Sequence, residues 1–469
     1  MALSKIWSAF IIVAIMAASF NMLFSPNNTN IFNRMVVGKN GDTAYTKMYD
    51  SANVPTEVAS VLGSATQVKK GNIQYLKNSN GSVITYREQN ADGVLATCKS
   101  AVEICIGLIG VMALFMGFMS IAEKAGGIRF LSKLIAPFFG KLFPEVPKQH
   151  PAFGHMMLNF SANLLGLDNA ATPFGIKAMQ SLQELNPDKE RASNAQIMFL
   201  CLHASGLTLI PVSIIAARAK LNAANPTDIF IPCMIATFVA TIASMMIVSI
   251  KQKINVFQPI ILMWVLGISS LIAMLVWYVS GLTKEDMDTF SGVLSNGLIL
   301  LIFILIVVGA LYKKINVFDA FVEGAKGGFE TAVKIIPYLV GMLVAISMLR
   351  TSGTFDVIIN GMKHLFLSIG FDTRFVDGLP TALIKPLSGS GARGMMIDTM
   401  KTYGTDSFAG RLSCILQGSS DTTFYVVAVY FGAVSVKNTR YSIGAMLLAD
   451  LVGIITAIGL CYLFFGNSL

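Results

Sequence analysis

The sequence contains little charge for its length. Asp, Glu, Lys and Arg make up only 13% of the 469 residues, whereas about a quarter of an average soluble chain is charged. Apolar residues reach 54%, and the mean hydropathy is +0.64. This balance excludes an ordinary soluble domain and indicates a chain that crosses a membrane several times.

Several catalytic signatures are also missing. No GxxxxGK[ST], HExxH or GxSxG pattern occurs, which leaves no support for the nucleotide, zinc or serine hydrolases that these motifs mark. The 6 Cys are scattered without a CxxC pair, so we expect no disulfide framework, metal site or cofactor. Lys385 and Ser388 resemble a Ser-Lys dyad but lack an oxyanion-hole context. We therefore predict that the chain is not an enzyme.

The net charge of +9 has two explanations. Lys and Arg in cytoplasmic loops set membrane topology and contact anionic lipid. A nucleic-acid groove would instead need a basic run interleaved with aromatic residues, and no such run occurs. We expect membrane lipid, and no nucleic acid, as a partner.

Long apolar runs predict an all-α polytopic membrane protein with about nine transmembrane helices. The predicted spans are residues 6–24, 101–122, 195–217, 229–250, 257–280, 293–312, 331–350, 408–434 and 441–465. The first run is compatible with a cleaved signal peptide or a retained span, and its length favours the retained span. Basic loops place the N-terminus in the cytoplasm and the C-terminus outside, provided that two further segments re-enter on the side they came from.

Two of the polar regions between these spans have distinct patterns. Residues 26–97 form an extracytoplasmic insert in which β-prone runs flank Asn78-Ser-Asn-Gly81, a sequence typical of a hairpin turn. Residues 123–150 and 354–369 mix basic and apolar residues at helical spacing, which predicts helices lying in the membrane interface.

Two apolar stretches are interrupted by polar residues and proline. Residues 159–179 read NFSANLLGLDNAATPFGIKAM, and residues 383–400 read LIKPLSGSGARGMMIDTM. Broken backbone at membrane depth requires surrounding protein or a water-filled cavity, so we predict two re-entrant hairpins. Interrupted segments at corresponding places of two halves are typical of a transporter binding site.

The two halves also resemble each other in sequence. AVEICIGLIGVM from Ala101 matches AVKIIPYLVGML from Ala332, and LHASGLTLIP from Leu202 matches LQGSSDTTFY from Leu416. An even number of crossings separates the copies, so the second copy enters from the opposite face. This arrangement predicts inverted repeats with a site near the midplane.

Polar and charged residues in these segments form the candidate site. An ionisable residue inside a membrane is a functional hypothesis by default, although Lys385 and Arg393 could instead snorkel to the interface and the uncharged residues could join helices. His203 fits either a proton relay or a satisfied core histidine. The predicted substrate-binding set is Asn163, Asp168, Asn169, Thr172, His203, Lys385, Ser388, Ser390, Arg393, Gln417, Ser419, Asp421 and Thr422. Helix N-termini after Pro173 and Gly391 would present unpaired N–H groups to an anionic or carbonyl-bearing solute.

These motifs carry a family resemblance. NLLGLDNAATPFGIKAM and SGLTLIP resemble spore maturation protein A, whereas LIKPLSGSGARGM, YGTDSFAGRL and QGSSDTTFYVVAVYFGAV resemble spore maturation protein B. Both belong to the nucleoside recognition (Gate) group, which is similar to the cores of concentrative nucleoside transporters and ferrous-iron permeases. The resemblance implies a helical membrane fold with re-entrant hairpins. Where the family pattern has a small residue, this chain has Arg393, which would either alter substrate preference or pair with Asp398.

The resemblance implies four segments: an N-terminal transmembrane helix (1–25), the insert (26–100), a protein A-like half (101–253) and a protein B-like half (254–469). We expect a transporter or permeation protein for a small polar solute in the bacterial cytoplasmic membrane. The alternative is a non-transporting assembly component of spore maturation or the envelope, with an envelope protein or a second copy as partner. A third possibility, a subunit of a GTP-driven iron importer, would require a separate GTPase.

Overall fold

The computed structural model describes residues 2–24, 30–49, 58, 62, 67–70, 73–77, 83–164, 168–208, 210–282 and 284–466. The helices are α1 (Ala2–Phe24), α2 (Ile31–Val37), α3 (Val94–Lys124), α4 (Gly127–Leu142), α5 (Pro151–Leu164), α6 (Asp168–Leu185), α7 (Asn194–Ala204), α8 (Val212–Lys220), α9 (Phe230–Gln252), α10 (Pro259–Ser280), α11 (Lys284–Tyr312), α12 (Val317–Thr351), α13 (Thr354–Ser368), α14 (Leu379–Ile384), α15 (Gly389–Tyr403), α16 (Phe408–Gly418), α17 (Thr423–Gly432) and α18 (Ser442–Phe465), with a 3-10 turn at Arg374–Asp377. The fold is therefore mostly helical, as predicted.

Among the described residues, 7 helices are long and apolar enough to cross a membrane. They are Trp7–Phe24, Val94–Lys124, Phe230–Gln252, Pro259–Tyr278, Val293–Tyr312, Val317–Thr351 and Ser442–Phe465. Each overlaps one of the predicted spans, so the chain is a multi-pass membrane protein. Helices α4 and α13 lie where interfacial helices were expected.

The other two predicted spans, residues 195–217 and 408–434, are not continuous. The first is divided into α7 and α8 by a segment that contains Gly206, whose φ of +66° favours glycine, and ends at Pro211. The second is divided into α16 and α17 by the polar residues 419–422. The count of about nine crossings, and the re-entry of both hairpins, therefore stay predictions.

The insert forms an antiparallel sheet. Its strands are β1 (Gly38–Tyr49), β2 (Gln67–Lys70), β3 (Ile73–Lys77) and β4 (Val83–Asp92), in the order β1-β4-β3-β2. Strands β3 and β4 pair from Ile73 with Arg87 to Lys77 with Val83, which confirms the predicted hairpin, although its turn lies outside the described residues. Two further strands extend this hairpin into a four-stranded sheet.

Among the described residues, an extended apolar core joins the two halves. It contains Ile215 from α8, Ile346 from α12 and Leu412 from α16, all at most 4% exposed. Helix α12 packs closely along α3, because a Cβ on Gly328 would lie 2.7 Å from the Cα of Ala113. Glycine at this crossing lets the two backbones approach as small residues do in membrane helix pairs.

Helices α7 and α16 occupy corresponding positions in the two halves. Each has 11 residues and begins after a serine, Ser193 or Ser407, whose hydroxyl accepts a hydrogen bond from a backbone N–H in the first turn. These donors are the N–H groups of Gln196 at 3.2 Å and Gly410 at 3.0 Å. In each helix the serine satisfies an N–H that a helix start leaves unpaired, while the repeat itself stays a prediction.

Candidate functional site

The interruptions of three helices are held together by backbone hydrogen bonds. Between α16 and α17, the N–H of Asp421 donates to the carbonyl of Ala204 at 2.8 Å, and the N–H of Phe424 donates to the carbonyl of Pro386 at 3.0 Å. Gly206 lies against the same place, where a Cβ would be 3.0 Å from the Asp421 nitrogen. Because lipid offers no hydrogen bonds, backbone freed by a helix break needs such partners within the protein.

A cavity of about 440 Å³ opens beside these breaks. Its size is typical of a small-molecule pocket, which spans about 300–1,000 Å³. Both halves line it, and the predicted site residues among the lining are Asn163, Thr172, His203, Lys385, Arg393, Gln417, Asp421 and Thr422. The structure thus brings together residues that are far apart in sequence, while their role in binding stays a prediction.

His203 links the cavity to the protein interior. Its Nδ1 lies 3.0 Å from Asn159 Oδ1 and 2.8 Å from Asn163 Nδ2. On the other side of the ring, Nε2 lies 3.1 Å from the Tyr430 hydroxyl and 3.8 Å from Asp421 Oδ2. The imidazole is only 5% exposed, so His203 has the partners of a satisfied core histidine and also borders the cavity.

Three predicted serines satisfy local backbone or neighbouring hydroxyl groups instead. The Ser388 hydroxyl accepts from the N–H of Gly391 at 3.0 Å and lies 3.3 Å from the Ser390 hydroxyl. The Ser419 hydroxyl donates to the carbonyl of Leu416 at 3.0 Å. None of the three is among the described residues that line the cavity, and a binding role for them remains untested.

The helix starts at the two hairpins differ from those expected. Helix α6 begins at Asp168 and contains Pro173 within it, so the expected start after Pro173 is wrong. The N–H of Gly391 is not left unpaired, because Ser388 caps α15. Although Asp168 and Asn169 begin α6, their side chains lie outside what the structure describes, and both stay predictions.

The cationic residues of the second hairpin are enclosed by protein. Lys385 is 8% exposed and Arg393 is half-buried, which does not fit side chains that extend to the lipid headgroups. Asp398, a suggested partner of Arg393, has its Oδ2 2.6 Å from Nε of Arg350. By contrast, the Asp421 side chain is 43% exposed and faces the cavity.

Sequence reasoning missed Asp450, which lies on α18 and is 4% exposed. Its Oδ2 accepts a hydrogen bond from the Thr423 hydroxyl at 2.6 Å, and its carboxylate interacts electrostatically with Lys385 and Asp421. A lone carboxylate within an apolar span was the signal that could have found it. Tyr430 and Asn159 were also missed, and they carry no comparable charge signal.

One wall of the cavity is apolar. Met112, Phe115, Met116 and Met119 of α3 contribute to it, at a spacing that places side chains on one face of a helix. Methionine is flexible and polarisable, so it adapts to ligand surfaces of different shape. Within the described part of the chain, no group of three His, Cys, Asp or Glu residues is placed to hold a metal ion.

Fold and site define a multi-pass membrane protein in which interrupted helices from both halves of the chain surround a cavity. The family model described as nucleoside recognition, named Gate, matches residues 105–221 and 332–437. The chain belongs to this nucleoside recognition (Gate) family.

Two Bacillus subtilis (strain 168) proteins are similar to parts of this chain. Spore maturation protein B is 49% identical over 156 residues, which cover 33% of this chain and 86% of that protein. Spore maturation protein A is 41% identical over 156 residues, which cover 33% of this chain and 80% of that protein. These matches are consistent with a fusion of the two. No solved structure matches the chain.

Proposed function

We propose that this chain transports a small polar solute through the cavity, with its two halves acting as inverted repeats that expose the cavity to each side of a bacterial cytoplasmic membrane in turn. The observation that carries the proposal is that polar residues from both matched segments surround one cavity. Solute sites at the interface of two repeats, built from discontinuous helices, are typical of secondary transporters.

The exposed Asp421 carboxylate supports this proposal over a purely structural role. Polar groups that only join helices are expected to be buried and hydrogen-bonded to other helices. Asp421 instead keeps 43% of its side chain exposed at a helix break. A charged group in a membrane protein usually faces a water-filled cavity or marks a solute pathway.

Thiol labelling from each side of the membrane tests the proposal without knowledge of the solute. Thr208→Cys and Ser213→Cys place a thiol in the cavity lining, in a background where the partly exposed Cys98 is replaced by Ser. We expect a membrane-impermeant maleimide to label both positions in right-side-out and in inverted vesicles. The matched control is Ser244→Cys on α9, where the side chain is 0% exposed and should stay unlabelled.

Labelling from one side only, or from neither side, would contradict transport by alternating access. That result would favour the non-transporting assembly role. The four-stranded sheet of the insert would then be the first surface to test for an envelope protein partner. Deleting it should abolish complex formation in that case, whereas a transporter should keep its two-sided labelling.

A further inference from the structure

Side chains of three chemical kinds line the cavity, and each kind is treated as one wall. Lys385 and Arg393 lie on either side of the start of α15 and give the first wall positive charge. Asp421, between α16 and α17, gives the second wall negative charge. The third wall is the apolar face of α3 that contains Met112, Phe115, Met116 and Met119.

The charges around the cavity nearly balance. Lys385 and Arg393 carry positive charge, whereas Asp421 and the neighbouring Asp450 carry negative charge. Moving a net charge from bulk water into a protein cavity costs free energy unless an opposite charge compensates it. A ligand that carries one positive and one negative group leaves the balance unchanged, and each group can be stabilised by the opposite charge of the wall.

We propose that the transported solute is an α-amino acid with an apolar side chain. Its carboxylate binds at Lys385 and Arg393, since a guanidinium matches a carboxylate with two parallel hydrogen bonds. Its ammonium group binds at Asp421, and its side chain lies on the methionine-rich wall. This assignment rests on the proposed transport function and names the solute class for the same cavity.

An uncharged nucleoside fits these walls less well. It offers neither a carboxylate to the two cations nor an ammonium group to Asp421, so it would gain no charge–charge attraction from either wall. A divalent cation meets two positive side chains in the first wall. An organic anion without an amine would leave Asp421 unmatched. These three ligand classes therefore serve as the alternatives in the test.

Thermal unfolding of the purified full-length chain in detergent can separate these ligands, because a ligand that binds only the folded state raises the unfolding midpoint. The probes are L-leucine, 4-methylpentanoate, which lacks the amine, 3-methylbutylamine, which lacks the carboxylate, uridine and Mg²⁺. We expect leucine to stabilise the protein. Removing either charged end should weaken binding about 10- to 100-fold, the usual effect of losing a hydrogen bond to a charged group.

Variants assign each end of the ligand to its wall. Asp421→Asn should weaken leucine binding to the level of 4-methylpentanoate and should not weaken the binding of 4-methylpentanoate. Arg393→Gln should weaken the binding of leucine and of 4-methylpentanoate, and it should not weaken the binding of 3-methylbutylamine. Glu103→Gln is the control, because Glu103 is 60% exposed and is not among the described lining residues. If a charge variant fails to fold, Met116→Trp should lower the affinity for phenylalanine and spare alanine.

The outcomes distinguish this inference from the transport proposal. No stabilisation by amino acids overturns the amino acid assignment. If uridine, 4-methylpentanoate or Mg²⁺ stabilises the protein instead, the proposed solute class is wrong. The transport proposal is still supported in that case if thiol labelling occurs from both sides. Labelling from one side with no stabilising solute contradicts both. Equal stabilisation by leucine and by either truncated analogue also overturns the two-ended recognition proposed here.

Discussion

Besides the shared apolar core, two loop contacts between the halves, here called junctions, follow one plan but differ in chemistry. At the buried junction, the segment after α8 contacts the segment that leads into α16. There Arg218, 0% exposed, lies 2.8 Å from Asp228 and 3.0 Å from Asp406, and donates to the carbonyl of Thr405 at 2.9 Å. At the exposed junction, the segment after α17 contacts the segment that leads into α7.

The exposed junction combines backbone pairing, a surface ion pair and two hydrogen bonds from the Arg440 side chain. The N–H of Lys437 donates to the carbonyl of Glu190 at 2.9 Å, and the N–H of Ala192 donates to the carbonyl of Asn438 at the same distance. The side chains of Lys437 and Glu190 form an ion pair at 2.7 Å and are 73% and 69% exposed. Water can replace much of this junction, whereas it cannot easily replace the enclosed partners of Arg218.

This difference indicates which junction opens more readily. Separating a buried ion pair leaves uncompensated charge in a low-dielectric interior, whereas separating an exposed pair exchanges its contacts for water. If the halves move during transport, we expect the buried junction to act as the fixed side and the exposed junction as the side that opens.

Arg218→Met should cause the largest loss of stability. The variant keeps an unbranched apolar stem but removes the guanidinium from the buried carboxylate of Asp228, which would retain Arg411 at 2.9 Å. Removing one member of a buried ion pair typically costs about 3–5 kcal/mol. Denaturant unfolding in mixed micelles measures this change. A loss below about 1 kcal/mol would be typical of an exposed ion pair and would contradict the proposed difference between the junctions.

Asp406→Asn should have an intermediate effect. Asp406 accepts hydrogen bonds from Arg218 at 3.0 Å and from the N–H of Ala224 at 2.9 Å, but its side chain is 34% exposed. We expect a loss of about 1–3 kcal/mol, typical of weakening hydrogen bonds to a charged group. The double variant with Arg218→Met should lose less than the sum of the two single variants. Full additivity would show that the two residues act independently.

The sequence predicts the position of most helices but not all of their interruptions. Apolar run length predicts the continuous spans, and proline with serine and glycine predicts the break before α15. The break between α7 and α8 was missed because LHASGLTLIP is apolar on average, although Gly206 and Pro211 are compatible with a break. A long apolar run therefore does not separate a continuous span from a divided one.

The candidate site was predictable where a single residue stood out from its surroundings. Lys385, Arg393 and Asp421 are charges within apolar segments, and all three line the cavity. The contact of Tyr430 with His203 joins residues 227 positions apart, and that of Arg218 with Asp406 joins residues 188 positions apart. Periodicity reports only local neighbours, so these contacts could not be read from one sequence.

The two helix caps should give equal effects despite the different junctions around them. Ser193→Ala and Ser407→Ala each remove the hydroxyl that accepts from an N–H in the first turn of α7 or α16. Loss of such a cap costs about 0.5–2 kcal/mol. Denaturant unfolding of both variants provides a matched comparison. A much smaller loss at Ser193 would show that the start of α7 opens locally before the protein unfolds.

Glu190→Ala should cause the smallest loss, below about 1 kcal/mol, because an ion pair between highly exposed side chains gains little in water. Lys437→Ala should match it, and the double variant should cost no more than either single variant if the pair acts alone. The effect should fade as salt is added, since exposed charges are screened, whereas the effect of Arg218→Met should persist. A loss at Glu190 as large and as salt-insensitive as that at Arg218 would mean that both junctions are equally fixed. The exposed junction would then be expected to open no more readily than the buried junction.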